Sequence, residues 1–282
     1  MQQREHLILA TKEVIRDFSD ENCIYLELRT TPKNTQWMDK REYVAAILEG
    51  FRISQLLYPK IVVRLILSVD RKQSIEDAKD TIELALEMSS VKDPLVIGVE
   101  LSGDPRIDAR KFLPLFSSAN ERGLSIIFHL AEMREHLDEL YDCLLCKPSR
   151  IGHGTYIHTN TDKNGQNLCL EYVTKHRIPI EICLTSNSIC NTNSYKESHL
   201  NYYLMNNHPF VLCTDDRGLM NCTLSGEYII ASETFGLSRQ KLFNIAVESF
   251  KSSLVHKIGS KSLIDSIFAK FIQFAERENL LL

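Results

Sequence analysis

Seven short apolar segments recur along this chain and constrain its fold more than any other feature. They are rich in β-branched residues and almost continuously apolar, which is typical of parallel strands covered on both faces. Helical patterns separate them. The ends of successive segments are on average about 31 residues apart, which is the size of a strand–helix unit. The segments span residues 23–29, 61–70, 95–101, 124–130, 150–154, 179–184 and 210–215.

Two architectures accommodate repeated strand–helix units, an open doubly wound sheet and a closed (β/α)8 barrel. A doubly wound sheet predicts a glycine-rich phosphate-binding turn after an early strand, and the sequence contains neither G-x-G-x-x-G nor a Walker loop. Polar residues instead follow most of the strands, and the active site of a barrel is built at the carboxyl ends of its strands. The sequence therefore predicts an α/β fold, a TIM (β/α)8 barrel, with residues 1–282 forming a single domain.

The predicted barrel is one strand short. The segment 23–29 is preceded by a helical pattern, and the patterns after the last segment are helical too, over residues 225–234, 238–255 and 261–281. We therefore expect a barrel that is incomplete at its N-terminus, with the first strand missing and Met1 as an internal start. Segments 23–29 and 210–215 would then have unpaired edges, which are templates for association with another chain. This predicts a chain that is soluble only as an oligomer or together with a chaperone.

Composition argues against several functional classes. The chain has 33 Lys and Arg against 37 Asp and Glu, and this net charge of −4 without a basic run argues against a nucleic-acid polymer as partner. No segment has the roughly 18 consecutive apolar residues of a transmembrane helix, and the N-terminus does not read as a signal peptide. Eight cysteines, several of them within apolar strands, indicate a reducing compartment rather than disulfides. We expect a cytoplasmic protein with no membrane contact.

Three strand ends carry groups that suit metal-assisted chemistry. His129 and Glu132 end the fourth segment, His153 ends the fifth, and Asp215 and Asp216 end the seventh. Each has a structural explanation on its own, because a strand-end histidine can bond a loop carbonyl and paired aspartates can cap a helix. Together they provide imidazole and carboxyl groups on one predicted rim. This set suits a divalent metal, an activated water and a general acid.

The motifs H-x-x-E, R-I-G-H-G-T, L-T-S-N and T-D-D follow one another at successive strand ends. In this order they resemble the adenosine deaminase family of zinc amidohydrolases, and the resemblance covers nearly the whole chain. The segments R-T-T-P-K at 29–33 and L-S-G-D-P at 101–105 are most similar to the branch that acts on N6-methyl-AMP. The resemblance implies zinc-dependent hydrolysis of a purine nucleoside monophosphate, N6-methyl-AMP or a related N6-substituted AMP, to IMP and an amine. The implied partner is a small-molecule purine nucleotide.

The resemblance also implies roles for individual residues. His129 and Asp215 match zinc ligands. Glu132 matches the acid that protonates the purine ring, and His153 matches the residue that orients and deprotonates the attacking water. The substrate-binding positions are Gly103 and Asp216 for the base, Thr30, Thr31, Pro32 and Lys33 for the phosphate end, and Asp70 across the pocket.

One feature of that family is not found in this sequence. Its members take two further zinc ligands from an H-x-H on the first strand, and none of the nine histidines here has that spacing. A catalytic zinc ordinarily has about three protein ligands, so the two available predict a weakly held ion and leave the catalytic activity open. The alternatives are a catalytically impaired form, a non-catalytic barrel remnant that binds or regulates, an adenosine deaminase and a metal-dependent phosphoesterase.

A second metal or redox candidate is the C-x-x-C spacing of Cys143 and Cys146. The pair lies in a helical pattern and has no second cysteine pair to complete a zinc site. The sequence also lacks the H-x-E and P-C-x-x-C motifs of the cytidine-type deaminases, so this spacing does not by itself indicate a site.

Overall fold

The computed structural model describes residues 3–282 as a curled, parallel, seven-stranded sheet packed with helices. Each strand pairs with the next one along the chain, so the order in the sheet is the order in the sequence. The strands are β1 (Tyr25–Thr30), β2 (Val62–Asp70), β3 (Val96–Ser102), β4 (Ser125–Leu130), β5 (Arg150–His153), β6 (Ile180–Ile182) and β7 (Phe210–Leu212). The predicted α/β barrel-type fold is confirmed, and each of the seven predicted segments overlaps one strand.

Thirteen α-helices lie within residues 3–282, and most of the long ones connect or follow the strands. None of them reaches the length and hydropathy needed to cross a membrane. The helices are α1 (Arg4–Asp20), α2 (Lys40–Leu57), α3 (Ile75–Ser89), α4 (Leu113–Glu121), α5 (Leu140–Leu145), α6 (Leu168–His176), α7 (Leu184–Cys190), α8 (Leu200–Met205), α9 (Arg217–Met220), α10 (Leu224–Phe235), α11 (Arg239–Lys251), α12 (Leu254–Ile258) and α13 (Lys261–Glu278).

Local capping residues decide where several of these helices begin. Before α2, the Asp39 carboxylate accepts a hydrogen bond from the Glu42 backbone N–H, and the Glu42 side chain accepts one from the Asp39 N–H. This capping box satisfies two donors that the first helical turn leaves free. Ser74 caps α3 and Ser238 caps α11 through their hydroxyl oxygens. Asp39 and Ser74 therefore mark where the loops that follow β1 and β2 end.

The sheet does not close within residues 3–282, because no backbone pairing joins β7 to β1. Side chains connect the two ends instead. The Glu21 carboxylate accepts hydrogen bonds from the Arg217 guanidinium at 2.9 Å and from the Ser225 backbone N–H at 2.7 Å. Tyr25 of β1 packs edge-on against Phe250 of α11, with ring centroids 5.5 Å apart. These contacts hold the ends together without making them neighbours in the sheet.

The sheet encloses buried ion pairs as well as apolar side chains. The guanidinium of Arg150 on β5 lies 2.5 Å from a Glu27 carboxylate oxygen and 2.6 Å from a Glu181 oxygen. Arg29 on β1 also pairs with Glu181, so the charged layer, defined as these four residues, links β1, β5 and β6. A small apolar cluster from three central strands and α12 consists of Ile66, Ile97, Ile127 and Leu254.

The cysteines are all free thiols in this structure. Cys143 lies in α5 and Cys146 follows it, and both are buried. The Ser117 hydroxyl donates to the Cys146 sulfur at 3.2 Å. Burial raises the pKa of the Cys146 thiol, which disfavours the thiolate needed for metal binding or redox chemistry. The structure is therefore consistent with a packing role for this pair.

Candidate active site

Parallel strands bring the chemically important residues to one edge of the sheet. His129 lies near the end of β4, His153 is the last residue of β5, and Asp215 follows β7. His153 and Asp215 have φ angles of 59° and 56°, in the left-handed region that side chains with a Cβ rarely adopt. Such conformations cost about 1–3 kcal/mol and cluster at functional sites, because the surrounding structure must hold them in place. The backbone at His153 and Asp215 is therefore strained, and this strain orients the two side chains.

The ligand atoms of His129, His153 and Asp215 form a compact group. They all lie within 4.8 Å of one another, and His153 Nε2 lies 3.7 Å from Asp215 Oδ2. Ligand atoms about 2.1 Å from a tetrahedral zinc lie roughly 3.4 Å apart, so one pair of this group is close to that spacing and the group as a whole is up to about 1.4 Å wider. The donor set and its spacing fit a zinc ion.

Glu132 lies beside this group. One of its carboxylate oxygens is 3.7 Å from His153 Nε2. Burial raises the pKa of the Glu132 carboxyl, and the nearby Asp215 carboxylate raises it further against the lowering effect of His153 and Arg71. A carboxyl group that keeps its proton to a higher pH can donate it to a bound molecule. The environment of Glu132 therefore suits a general acid.

The two adjacent aspartates after β7 have different environments. The Ser186 hydroxyl donates to Asp215 Oδ2 at 2.7 Å. Burial alone would raise the pKa of Asp215, but the positive potential of His153 and the Ser186 hydrogen bond outweigh it, so the pKa is lowered. The pKa of Asp216 is raised, by burial and then by the neighbouring Asp215 carboxylate. Asp215 is thus kept ionised as a ligand requires, while Asp216 protonates more readily.

Gly103 and Asp70 touch at the ends of β3 and β2. Gly103 has a φ of +100°, and a Cβ built on it would lie 2.6 Å from Asp70 Oδ1. Only glycine allows this backbone to approach the carboxylate so closely. The Asp70 oxygen also accepts from the Lys72 N–H at 2.8 Å, so it is held in place. These two predicted substrate-binding residues are therefore neighbours.

The predicted phosphate-binding segment follows β1. The Thr30 hydroxyl is 3.1 Å from the Tyr43 hydroxyl of α2, Thr31 is half-buried and Pro32 is buried. Lys33 is exposed, and its ammonium group forms neither a hydrogen bond nor a salt bridge in the described part of the chain. The segment therefore carries a cation that is free to meet an anionic ligand. Within residues 3–282, no hydrogen bond or salt bridge joins this segment to the histidine–aspartate group.

Several residues that support the site were not assigned a role from the sequence. The Arg71 guanidinium donates to the His129 carbonyl at 3.0 Å. The Asn187 amide nitrogen lies 3.2 Å from His153 Nδ1, which leaves Nε2 facing the two carboxylates. The available signal was their place next to strand-end motifs, where buried polar residues need partners. The sequence does not specify which partner each one has.

Comparison with known proteins assigns this fold and site to a family. Residues 1–270 match the family profile described as Adenosine deaminase, and the chain belongs to that family. It is 39% identical over 249 residues to the human protein named N6-Methyl-AMP deaminase, covering 87% of this chain and 70% of the relative. It is 37% identical over 270 residues to the Caenorhabditis elegans Adenosine deaminase-like protein, covering 94% of this chain and 68% of the relative.

The fold is similar to that of a solved relative. The crystal structure of the Arabidopsis protein ADAL complexed with IMP superimposes with a TM-score of 0.84 at 32% identity. The superposition covers 98% of this chain and 79% of the Arabidopsis chain. The likeness therefore extends over almost all of the described fold.

Proposed function

We propose that this chain hydrolyses N6-methyl-AMP to IMP and methylamine. Water adds to the purine carbon that bears the methylamino group, and the bond from that carbon to nitrogen then breaks. The observation that carries the proposal is the group formed by His129, His153 and Asp215, with Glu132 3.7 Å from His153. The names of the human relative and of the IMP complex support the choice of a nucleotide substrate.

The chain's own residues would bind the metal and move the protons. His129 and Asp215 would hold a zinc ion, which supplies Lewis-acid activation of water at neutral pH when bound. His153 Nε2 faces the group and would accept the proton of the attacking water. Glu132, with its raised pKa, would protonate a ring nitrogen of the purine and make the neighbouring carbon more electrophilic.

A second assignment for His153 is supported by the same geometry. Its ligand atom belongs to the group within 4.8 Å, so His153 could complete a three-ligand zinc site. The substitution His153→Gln separates the two assignments. A base leaves the zinc affinity nearly unchanged and loses turnover, whereas a third ligand loses zinc affinity by tenfold or more. Zinc affinity is measured by competition with a chromophoric chelator.

We assign substrate binding to the strand-end residues predicted from the sequence. Asp216 and the Gly103 backbone would contact the base, and Asp70 lies against Gly103. Thr30, Thr31, Pro32 and Lys33 would meet the phosphate, since two hydroxyls and an ammonium can satisfy its oxygens. Lys33→Ala should raise the KM for N6-methyl-AMP while that for N6-methyladenosine is unchanged. Lys261→Ala, an exposed lysine on α13, is the matched control.

The function is tested by product formation. The full chain, in buffer supplemented with zinc, should release IMP and methylamine from N6-methyl-AMP, as followed by liquid chromatography. Glu132→Gln keeps the size of the side chain and should lower kcat by about 10²–10⁴-fold, the range for a general acid. A zinc-loaded protein that forms no IMP, or a Glu132→Gln variant with full turnover, would refute the proposal.

The zinc content is a separate expectation. If His129 and Asp215 are the only ligands supplied, the ion should be labile. Elemental analysis of the purified chain, dialysed against metal-free buffer without chelator, should then find well under one zinc per molecule. Stoichiometric zinc after dialysis would instead support His153 as the third ligand.

A further inference from the structure

Glu100 is a buried carboxylate in the middle of the sheet, next to the histidine–aspartate group. It lies on β3 and is 2% exposed. The Ser68 hydroxyl donates to its Oε1, and an Arg29 nitrogen lies 2.7 Å from its Oε2. The same Oε2 lies 3.6 Å from His129 Nδ1. One carboxylate oxygen therefore faces both a fixed positive charge and an imidazole nitrogen.

The His129 nitrogen on this side lacks any other partner. Nδ1 is buried and forms no hydrogen bond within residues 3–282. Leaving a buried polar atom unpaired destabilises the folded protein, so an acceptor for this nitrogen would stabilise it. Glu100 Oε2 is about 0.7 Å beyond an ordinary hydrogen-bond distance, which a small rotation of either side chain closes.

We propose that Glu100 is a positioning residue for His129. Its Oε2 accepts the Nδ1–H hydrogen bond and thereby holds the neutral ring in the tautomer whose Nε2 carries a free lone pair. A carboxylate oxygen can only accept a hydrogen bond, and this one is held by the Arg29 nitrogen 2.7 Å away. The inference rests on the proposed function in one respect, because that function assigns the free nitrogen to a metal.

The ion pair with Arg29 does not by itself explain Glu100. Arg29 already has a second buried partner, Glu181 on β6. A carboxylate in a parallel strand is expensive to bury, and pairing with hydrogen bonds is needed to keep it there. Ser68 and Arg29 account for two of the three contacts of Glu100. The third contact, from Oε2 toward His129 Nδ1, is explained if Glu100 positions the imidazole ring.

Three substitutions separate positioning from packing. Glu100→Met keeps the length of the side chain and removes the acceptor, while Arg29 retains Glu181. Glu100→Gln is the conservative rescue, since its amide can donate to the Ser68 hydroxyl and still direct its oxygen toward Arg29 and His129. Ser68→Ala is the matched control, because it removes the other hydrogen bond of Glu100 and leaves Oε2 unchanged.

The tautomer of His129 is read by long-range ¹H–¹⁵N correlation spectra of the full chain without metal. The His129 signals are identified by their loss in His129→Asn. The wild type, Glu100→Gln and Ser68→Ala should show the proton on Nδ1. Glu100→Met should populate the Nε2–H tautomer, and its zinc affinity should fall about 10–100-fold, the usual effect of losing such a partner.

Two results would overturn the proposal. The first is a wild-type spectrum with the proton on Nε2, and the second is an unchanged tautomer and zinc affinity in Glu100→Met. If Glu100→Met does not fold, judged by the signal of the distant His208, the wild-type and Glu100→Gln spectra still decide the question. The spectra need neither metal nor substrate, so a chain without deaminase activity leaves this test valid.

Discussion

Arg150 lies at the centre of the charged layer inside the sheet. Its side chain is almost fully buried, and it donates to Glu181 at 2.6 Å, to Glu27 at 2.5 Å and to the Ser252 carbonyl at 3.2 Å. These contacts join β5 to β6, to the edge strand β1 and to the segment before α12. Substituting Arg150 by Met keeps an unbranched side chain of similar reach and removes the charge and every donor.

The substitution leaves two buried carboxylates less compensated. Glu181 keeps Arg29, whereas within residues 3–282 the donors left to Glu27 are the Tyr25 hydroxyl and the Leu254 backbone N–H. Removing one partner of a buried ion pair costs about 3–5 kcal/mol, because the remaining charge stays out of water. At roughly 2–4 °C per kcal/mol for a protein of this size, the melting temperature should fall by about 6–20 °C.

The measurement is thermal and urea unfolding followed by circular dichroism at pH 7. The double variant Arg150→Met, Glu27→Gln is the matched control, since it also removes the stranded charge. It should recover about 0.5–3 kcal/mol relative to Arg150→Met alone, the usual range of coupling between contacting residues. A single variant that unfolds within about 0.5 kcal/mol of the wild type would refute the role given to the ion pairs, because that is the range of surface substitutions.

The pH dependence gives an independent check on the same contacts. Burial alone would raise the pKa of Glu181, but Arg29 and Arg150 more than reverse this and hold it below its ordinary value. A carboxyl group with a lowered pKa in the folded state stabilises the protein above its unfolded pKa of about 4.3, and this contribution is lost as the pH falls. The difference between wild type and Arg150→Met should therefore be largest above pH 5 and shrink below pH 4. A constant difference would contradict the assignment.

Three further substitutions test other parts of the structure. Gly103→Ala would place a Cβ 2.6 Å from Asp70 Oδ1 at a φ of +100°, so it should destabilise the fold by about 1–3 kcal/mol in urea unfolding. Ser186→Ala removes the donor to Asp215, so the Asp215 pKa should rise and zinc affinity, measured by chelator competition, should fall about 10-fold. Burial lowers the pKa of His208, so the folded protein should lose stability as the pH falls below about 6.5. The substitution His208→Gln should reduce this loss. Wild type and variant losing the same free energy of unfolding between pH 7.5 and pH 5.5 would contradict the prediction.

The strands could be predicted from sequence because each is a local apolar segment, whereas one helix was predicted wrongly. Residues 238–255 were expected to form one helix, but α11 ends at Lys251 and α12 begins at Leu254. Ser253 caps α12 by accepting from the His256 N–H, and Leu254 then packs on the isoleucines of the central strands. The break depends on this long-range contact, which the helical pattern of the segment does not contain.

The site residues could be placed on one edge of the sheet from their positions in the chain, because parallel strands align their carboxyl ends. What the sequence did not contain was the distance between them. His153 was interpreted as a base from its motif alone, yet its left-handed backbone turns its Nε2 to within 3.7 Å of Asp215. Whether this nitrogen binds a metal or accepts a proton depends on a few tenths of an ångström and on the hydrogen bond at the opposite nitrogen. The Asn187 amide at Nδ1 is therefore as decisive for the chemistry of His153 as the motif that contains it.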